Sequence, residues 1–186
     1  MEQSELLELV CSVLKQQGLE YLIVGSQATI VYGEPRFTND IDIVVNLDLA
    51  RLNAFLEAFP ADDFYVSVAA ARDAIMQHGM FNIIHPSSGL KIDVIIPGNN
   101  DYERRRFDRG RSVKVGPDFE AVFASPEDVI IKKMEFFKIG GSDRHLRDIA
   151  GVIKISGEKI DRDYIATMAA CFGLTEIWQG ILNRLA

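Results

Sequence analysis

The chain predicts an α+β fold, a mixed sheet flanked by helices and followed by a small C-terminal helical bundle. Three observations carry this. Short apolar, β-branched runs alternate with amphipathic stretches as far as about residue 124, a sharply capped helix opens at Ser125, and every later segment has helical spacing. The expected division is a core over 1–124 and a helical region over 125–186 packed on it. With 186 residues, 48% hydrophobic and 25% charged, the composition matches folded globular proteins and carries no mark of disorder, collagen or a disulfide scaffold.

The first element is "SELLELVCSVLKQQG", where Leu6, Leu7, Val10 and Leu14 recur at helical spacing between the cap candidate Ser4 and Gly18. "YLIVG" reads as a short buried strand ending at Gly25, and "SQATIVYG" as a helix from Ser26 to near Gly33. "DIDIVVN" is a strand, "LARLNAFLEAF" a helix stopped by Pro60, and "AAARDAIMQHG" a helix closing at Gly79. "MFNIIH" and "LKIDVIIP" flank a Pro-Ser-Ser-Gly turn as a hairpin. From Asn99 and Asn100 through "DYERRRFDRGR" the composition is that of a loop. "SPEDVIIKKMEFFKIG" has Ser at the N-cap, Pro next, acids in the first turn and Gly at the end. "SDRHLRDIAGVIKISG", "DRDYIATMAACFG" and "LTEIWQGILNRL" are three further helices joined by short turns.

A net charge of -7 argues against unspecific wrapping of a nucleic-acid duplex but leaves room for a local basic channel. Arg104, Arg105, Arg106, Arg109, Arg111 and Lys114 are the candidates for one, either as a solvated loop or as a grip on triphosphate or RNA backbone. Cys11 and Cys171 stand far apart with no metal-binding spacing and no signal peptide ahead of them, which fits a reducing, cytoplasmic setting. No apolar run approaches the roughly 20 residues of a membrane-spanning helix, so no membrane role is expected.

Two aspartates interrupt the strand "DIDIVV". An unpaired carboxylate inside an apolar strand costs several kcal/mol, so Asp40 and Asp42 need a reason to be there. Alternate residues of a strand share a face, about 7 Å apart at the Cα atoms, and both carboxylates can reach one ion. Asp93 repeats the anomaly in "KIDVII", and a third carboxylate would complete an oxygen set for Mg²⁺. The plainer alternative is that Asp40 caps a turn, Asp42 lies on a solvated face, and Asp93 pairs with Lys91 or an arginine. Gly25 and Ser26, between a strand and a helix start, let backbone N–H groups approach a phosphate at the positive end of the helix dipole. Alone they are also an ordinary tight turn with Ser26 as N-cap.

Together, "GSQATIVYGEPRFTNDIDI" resembles the signature of the DNA polymerase β-like nucleotidyltransferase superfamily, a Gly-Ser followed after a short helix and loop by Asp-x-Asp, with a single Asp later. Gly33, Arg36 and Thr38 leading into "NDIDI", then "KIDVIIPG", "ASPEDVIIKKMEFF" and "DRHLRDI", are similar to the prokaryotic nucleotidyltransferases related to AbiEii abortive-infection toxins. The likeness runs over roughly residues 20 to 150. It implies the minimal nucleotidyltransferase fold, an NTP donor and two Mg²⁺ ions held by Asp40, Asp42 and Asp93, with Asp93 helping to activate the acceptor hydroxyl. It assigns Gly25, Ser26, Arg36, Thr38, Lys133 and Asp148 to the nucleotide. Many relatives have Lys-Asp where this chain has Arg144-His145. The implied activity is transfer of an NMP to a hydroxyl of an RNA or tRNA end, a protein or a small molecule, in a toxin-antitoxin or phage-defence setting with a possible cognate antitoxin. The alternative is a non-catalytic nucleotide- or partner-binding module of the same fold.

Overall fold

A computed structural model describes residues 1–117 and 119–185. Among the described residues the chain forms nine α-helices and one seven-stranded sheet. It divides into two compact units, one of 1–27 with 37–124 and the other of 28–36 with 125–186.

The first unit holds the whole sheet. Its strands are β1 (Tyr21–Ile23), β2 (Asp40–Val45), β3 (Tyr65–Val66), β4 (Met80–His85), β5 (Leu90–Ile95), β6 (Arg111–Lys114) and β7 (Glu120–Phe123), in the order β3-β4-β5-β2-β1-β7-β6. β2 runs parallel to β5 and β1 parallel to β7, while the β1/β2, β3/β4, β4/β5 and β6/β7 pairs are antiparallel. The sheet is mixed, as the sequence predicts. Four helices accompany it: α1 (Gln3–Gln16), α3 (Leu49–Leu56), α4 (Val68–Gln77) and α5 (Asp101–Asp108). Leu6, Val10 and Leu14 of α1, Ile41 and Ile43 of β2, Leu52 and Phe55 of α3, Ile92 and Val94 of β5 and Phe123 of β7 are buried completely. Removing that much apolar surface from water is the main stabilisation of the unit.

Three local readings change. The cap of α1 is a reciprocal pair in which Glu2 and Glu5 serve one another's backbone N–H groups, so Ser4 is not the cap. The stretch read as a loop after Asn100 is α5: the Asn100 side chain accepts from Glu103 N at 2.9 Å, and acids in the first turn with arginines in the last suit the helix dipole. β3, β6 and β7 add to the sheet without having been legible in the sequence.

The second unit contains the end of α2 (Gly25–Tyr32), with α6 (Pro126–Gly140), α7 (Asp143–Ser156), α8 (Arg162–Cys171) and α9 (Thr175–Leu185). α6 begins as its sequence dictates: Ser125 accepts from Asp128 N at 3.2 Å and donates to Asp128 Oδ2 at 2.8 Å. Glu127 and Asp128 are fully buried yet paired, Glu127 with the Asp161 amide at 3.0 Å and Asp128 with the Tyr164 hydroxyl at 3.2 Å. Buried acids persist where their hydrogen bonds are made inside the protein. Among the described residues no helix is long and apolar enough to cross a membrane.

Candidate active site

The carboxylates lie where strand register puts them. In β2 the pattern of exposure alternates, with Asp40 and Asp42 half-buried and Ile41 and Ile43 fully buried, so both aspartates project from one face. The β2/β5 register sets Asp40 opposite Lys91 and Asp42 opposite Asp93. The β4/β5 register sets Asn82 opposite Asp93. Side chains of directly paired residues share a face about 5 Å apart. Three carboxylates, one ammonium and one amide are thus gathered by backbone pairing alone.

Each carboxylate has a partner. Asp93, 7% exposed, accepts from the Asn82 side-chain amide at Oδ1, while its Oδ2 lies 3.0 Å from Lys91 Nζ. Lys91 Nζ also stands 3.8 Å from Asp40 Oδ1. The plainer sequence reading, in which Asp93 pairs with Lys91, is therefore realised on the same face as the Asp-x-Asp pair. The hydrogen bond with Asp93 holds the Lys91 ammonium above the ordinary lysine value, against the opposing effect of burial.

Asp42 is cradled by the turn after β1. Gly25 has φ +58°, and a Cβ placed there would stand 2.0 Å from Asp42 Oδ2 and 2.8 Å from Asp42 Cβ. Only a glycine allows both that backbone and that approach. Ser26 N, at the start of α2, points to Asp42 Oδ2 at 3.4 Å. Among the described residues no three His, Cys, Asp or Glu side chains are spaced to hold a metal ion as they stand. The donor chemistry nevertheless suits Mg²⁺: the candidate ligands are all carboxylate oxygens, and a cationic group already sits against two of them.

The remaining expected nucleotide residues, Thr38 aside, fall in the helical unit. Asp148, 8% exposed, is shared by two cations, with Lys133 Nζ at 2.5 Å from Oδ2 and Arg36 Nε at 3.2 Å from Oδ1. Lys133 is the buried lysine of α6, whereas Lys132 is half-buried and pairs with Glu135 at 2.9 Å. Burial pushes the Lys133 ammonium below the ordinary lysine value, and Asp148 opposes that only in part. Gly33, three residues before Arg36, packs closely on α7: a Cβ there would come within 3.0 Å of Val152 N. The His145 ring stacks on Phe136 at 5.7 Å, and its buried Nδ1 has no hydrogen-bond partner among the described residues. In the first unit Thr38 offers its carbonyl to Gln3 Nε2 at 2.7 Å.

The basic run is partly neutralised within α5. Arg104 pairs with Asp101, and Arg106, 4% exposed, pairs with Glu103 at 2.6 Å. Sequence reasoning passed over Asn82. Its one signal was a polar side chain in the middle of the apolar strand "MFNIIH".

No protein-family model matches the chain, and no curated protein does either. Solved structures do. The solution structure of the antibiotic-resistance factor ANT(2'')-Ia superposes with TM-score 0.61 at 13% identity over 99% of this chain and 98% of that one. An antigenic nucleotidyltransferase-like protein from Paracoccidioides brasiliensis gives 0.57 at 16% identity, covering 94% of this chain and 91% of its own. The lincosamide antibiotic adenylyltransferase LnuA, with lincomycin bound, gives 0.55 at 14% identity over 83% and 98%. The α+β fold is that of the nucleotidyltransferases.

Proposed function

We propose that this protein is an Mg²⁺-dependent nucleotidyltransferase that moves an NMP from an NTP to a hydroxyl acceptor. A bond forms between the acceptor oxygen and the α-phosphorus, the bond to pyrophosphate breaks with its electron pair staying on the pyrophosphate oxygen, and the hydroxyl proton passes by way of the Asp93 carboxylate to solvent. The observation that carries the reading is the register-paired Asp42 and Asp93, with Asp40 on the same face and Gly25 shaped to admit Asp42. The fold shared with nucleotidyltransferases supports it.

Asp40, Asp42 and Asp93 would hold the metal, two ions by the sequence resemblance. An ion held by these carboxylates would supply Lewis acidity toward an attacking hydroxyl and positive charge toward departing pyrophosphate. Asn82 fixes one oxygen of Asp93 and so orients the carboxylate assigned to the acceptor side. Ser26 supplies a hydroxyl and a backbone N–H where the dipole of α2 favours phosphate oxygens. In the helical unit, Lys133, Arg36 and Asp148 are the proposed nucleotide set, supported by two cations clustered on one buried carboxylate. The acceptor is an RNA or tRNA end, a protein or a small molecule. The AbiEii-like sequence motifs favour a toxin-antitoxin setting, with a cognate antitoxin as partner.

The test is incubation of the protein with each NTP labelled at the α- or the γ-phosphate, Mg²⁺, and total RNA, lysate protein or small-molecule acceptors. We expect α-label, not γ-label, in one acceptor fraction, and its loss in Asp42→Asn. That variant should keep or gain thermal stability without metal, because one of the mutually repelling carboxylates is removed. Wild-type transfer by Asp42→Asn, or no α-label in any fraction, would leave the non-catalytic binding module as the reading.

A further inference from the structure

Lys91 brings a positive charge to the carboxylate face of the sheet. It lies on β5 two residues before Asp93, directly opposite Asp40, with its ammonium 3.0 Å from Asp93 Oδ2 and 3.8 Å from Asp40 Oδ1. The side chain is one-third exposed at 33%, so its ammonium meets the carboxylates from a position that water still reaches. We propose that Lys91 is a tethered counter-ion: its ammonium holds the carboxylate face together until a divalent cation displaces it, so that Mg²⁺ binding and Lys91 release are one exchange. This rests on the reading of Asp40, Asp42 and Asp93 as the metal-holding set.

The physical case has three parts. Carboxylates crowded on one face repel, and a fixed cation among them relieves that repulsion when no metal is bound. The same charge opposes a second cation at the same oxygens, so Lys91 must move away as Mg²⁺ arrives. A lysine is suited to this, since a compact ammonium on a flexible four-carbon stem can swing to water while the stem remains against the protein. Asn82 behaves differently. It is neutral and engages the other oxygen of Asp93, Oδ1, so it orients that carboxylate in both states.

The experiment titrates Mg²⁺ alone, without nucleotide, into wild type, Lys91→Met, Lys91→Arg and Asp42→Asn by calorimetry, and follows thermal unfolding in EDTA and in saturating Mg²⁺. Lys91→Met should bind Mg²⁺ about tenfold tighter than wild type. It should also melt lower in EDTA and gain more from Mg²⁺. Lys91→Arg, which keeps the charge, should stay within about twofold of wild type. A second measurement needs no variant to fold. Acetylation of Lys91 in the wild-type protein, read by mass spectrometry, should accelerate several-fold when Mg²⁺ is added.

If Mg²⁺ binds through Asp42 while Lys91→Met leaves its affinity unchanged, or while Lys91 acetylation does not respond, the counter-ion role is overturned and the metal reading stands. A purely structural Lys91 would lower the melting temperature equally in both buffers. If Mg²⁺ titrates into neither wild type nor Lys91→Met, the metal-site reading itself fails and takes the exchange with it.

Discussion

At Gly25 the backbone angle and the side chain of Asp42 impose one demand. Gly25→Ala meets left-handed strain and a carboxylate that cannot withdraw far, because its own Cβ lies within 2.8 Å of the added methyl. The variant should lose about 1–3 kcal/mol by urea denaturation, and transfer activity should fall with it. His145 carries a pH dependence. Burial first, then the charge of Lys133, push its imidazole below the ordinary value of 6.5. Well above that value the ring is neutral in both states and the group contributes nothing. As pH falls through 6.5 the unfolded chain takes the proton first, so the fold loses stability until the lowered folded value is also passed. His145→Gln should therefore gain stability relative to wild type on acidification from about pH 7 to about pH 5, with a flat difference above that window. A parallel dependence in both proteins would exclude His145 as its source. The aspartates stood out in the sequence because charge in an apolar strand has a desolvation cost, and Gly25 stood out only through the Asp-x-Asp that follows it, since Gly-Ser alone is an ordinary tight turn. The convergence of Asn82 and Lys91 on Asp93 did not, since it exists only once β4, β5 and β2 are in register.

Elements with amphipathic spacing and strong ends were readable: α6 from its Ser125-Pro126 start, α7 to α9 from their apolar faces, and the β4/β5 hairpin from its turn. α5 was not, because its hydrophobic content is low and its stability is local, from the Asn100 cap and from Arg104 and Arg106 pairing one turn back with Asp101 and Glu103. β3 and β6 escaped for a related reason. The one has two residues, and the other exposes Arg111, Ser112 and Lys114, so neither presents an apolar alternation. Within the helical unit the contact of Gly33 with α7 is a close backbone approach that no sequence pattern announces. Gly33→Ala would set a methyl 2.9 Å from Thr29 O and 3.0 Å from Val152 N. We expect a loss of about 1–3 kcal/mol, measured by thermal or urea unfolding, whereas Gly140→Ala, with open space around it, should be neutral or mildly stabilising.

On the scale of the molecule, the helical unit recruits a segment from far upstream. Residues 28–36 cluster with 125–186, Ser156 Oγ donates to Tyr32 O at 3.0 Å, and Arg36 pairs with Asp148. A fragment ending at Ala124 removes every one of those partners while keeping the sheet. It should show a broadened unfolding transition and rapid proteolysis within 28–36, and a fragment that unfolds as sharply as the full chain would refute this. The sheet has a further consequence. Among the described residues it is open, not closed into a barrel, so β3 and β6 are its two margins. An unpaired margin is a template on which another chain can add a strand. Here one margin is a two-residue stub and the other carries Arg111 and Lys114, so crowded copies find little to zip onto, and the molecule is guarded against growing into fibrils from its own sheet.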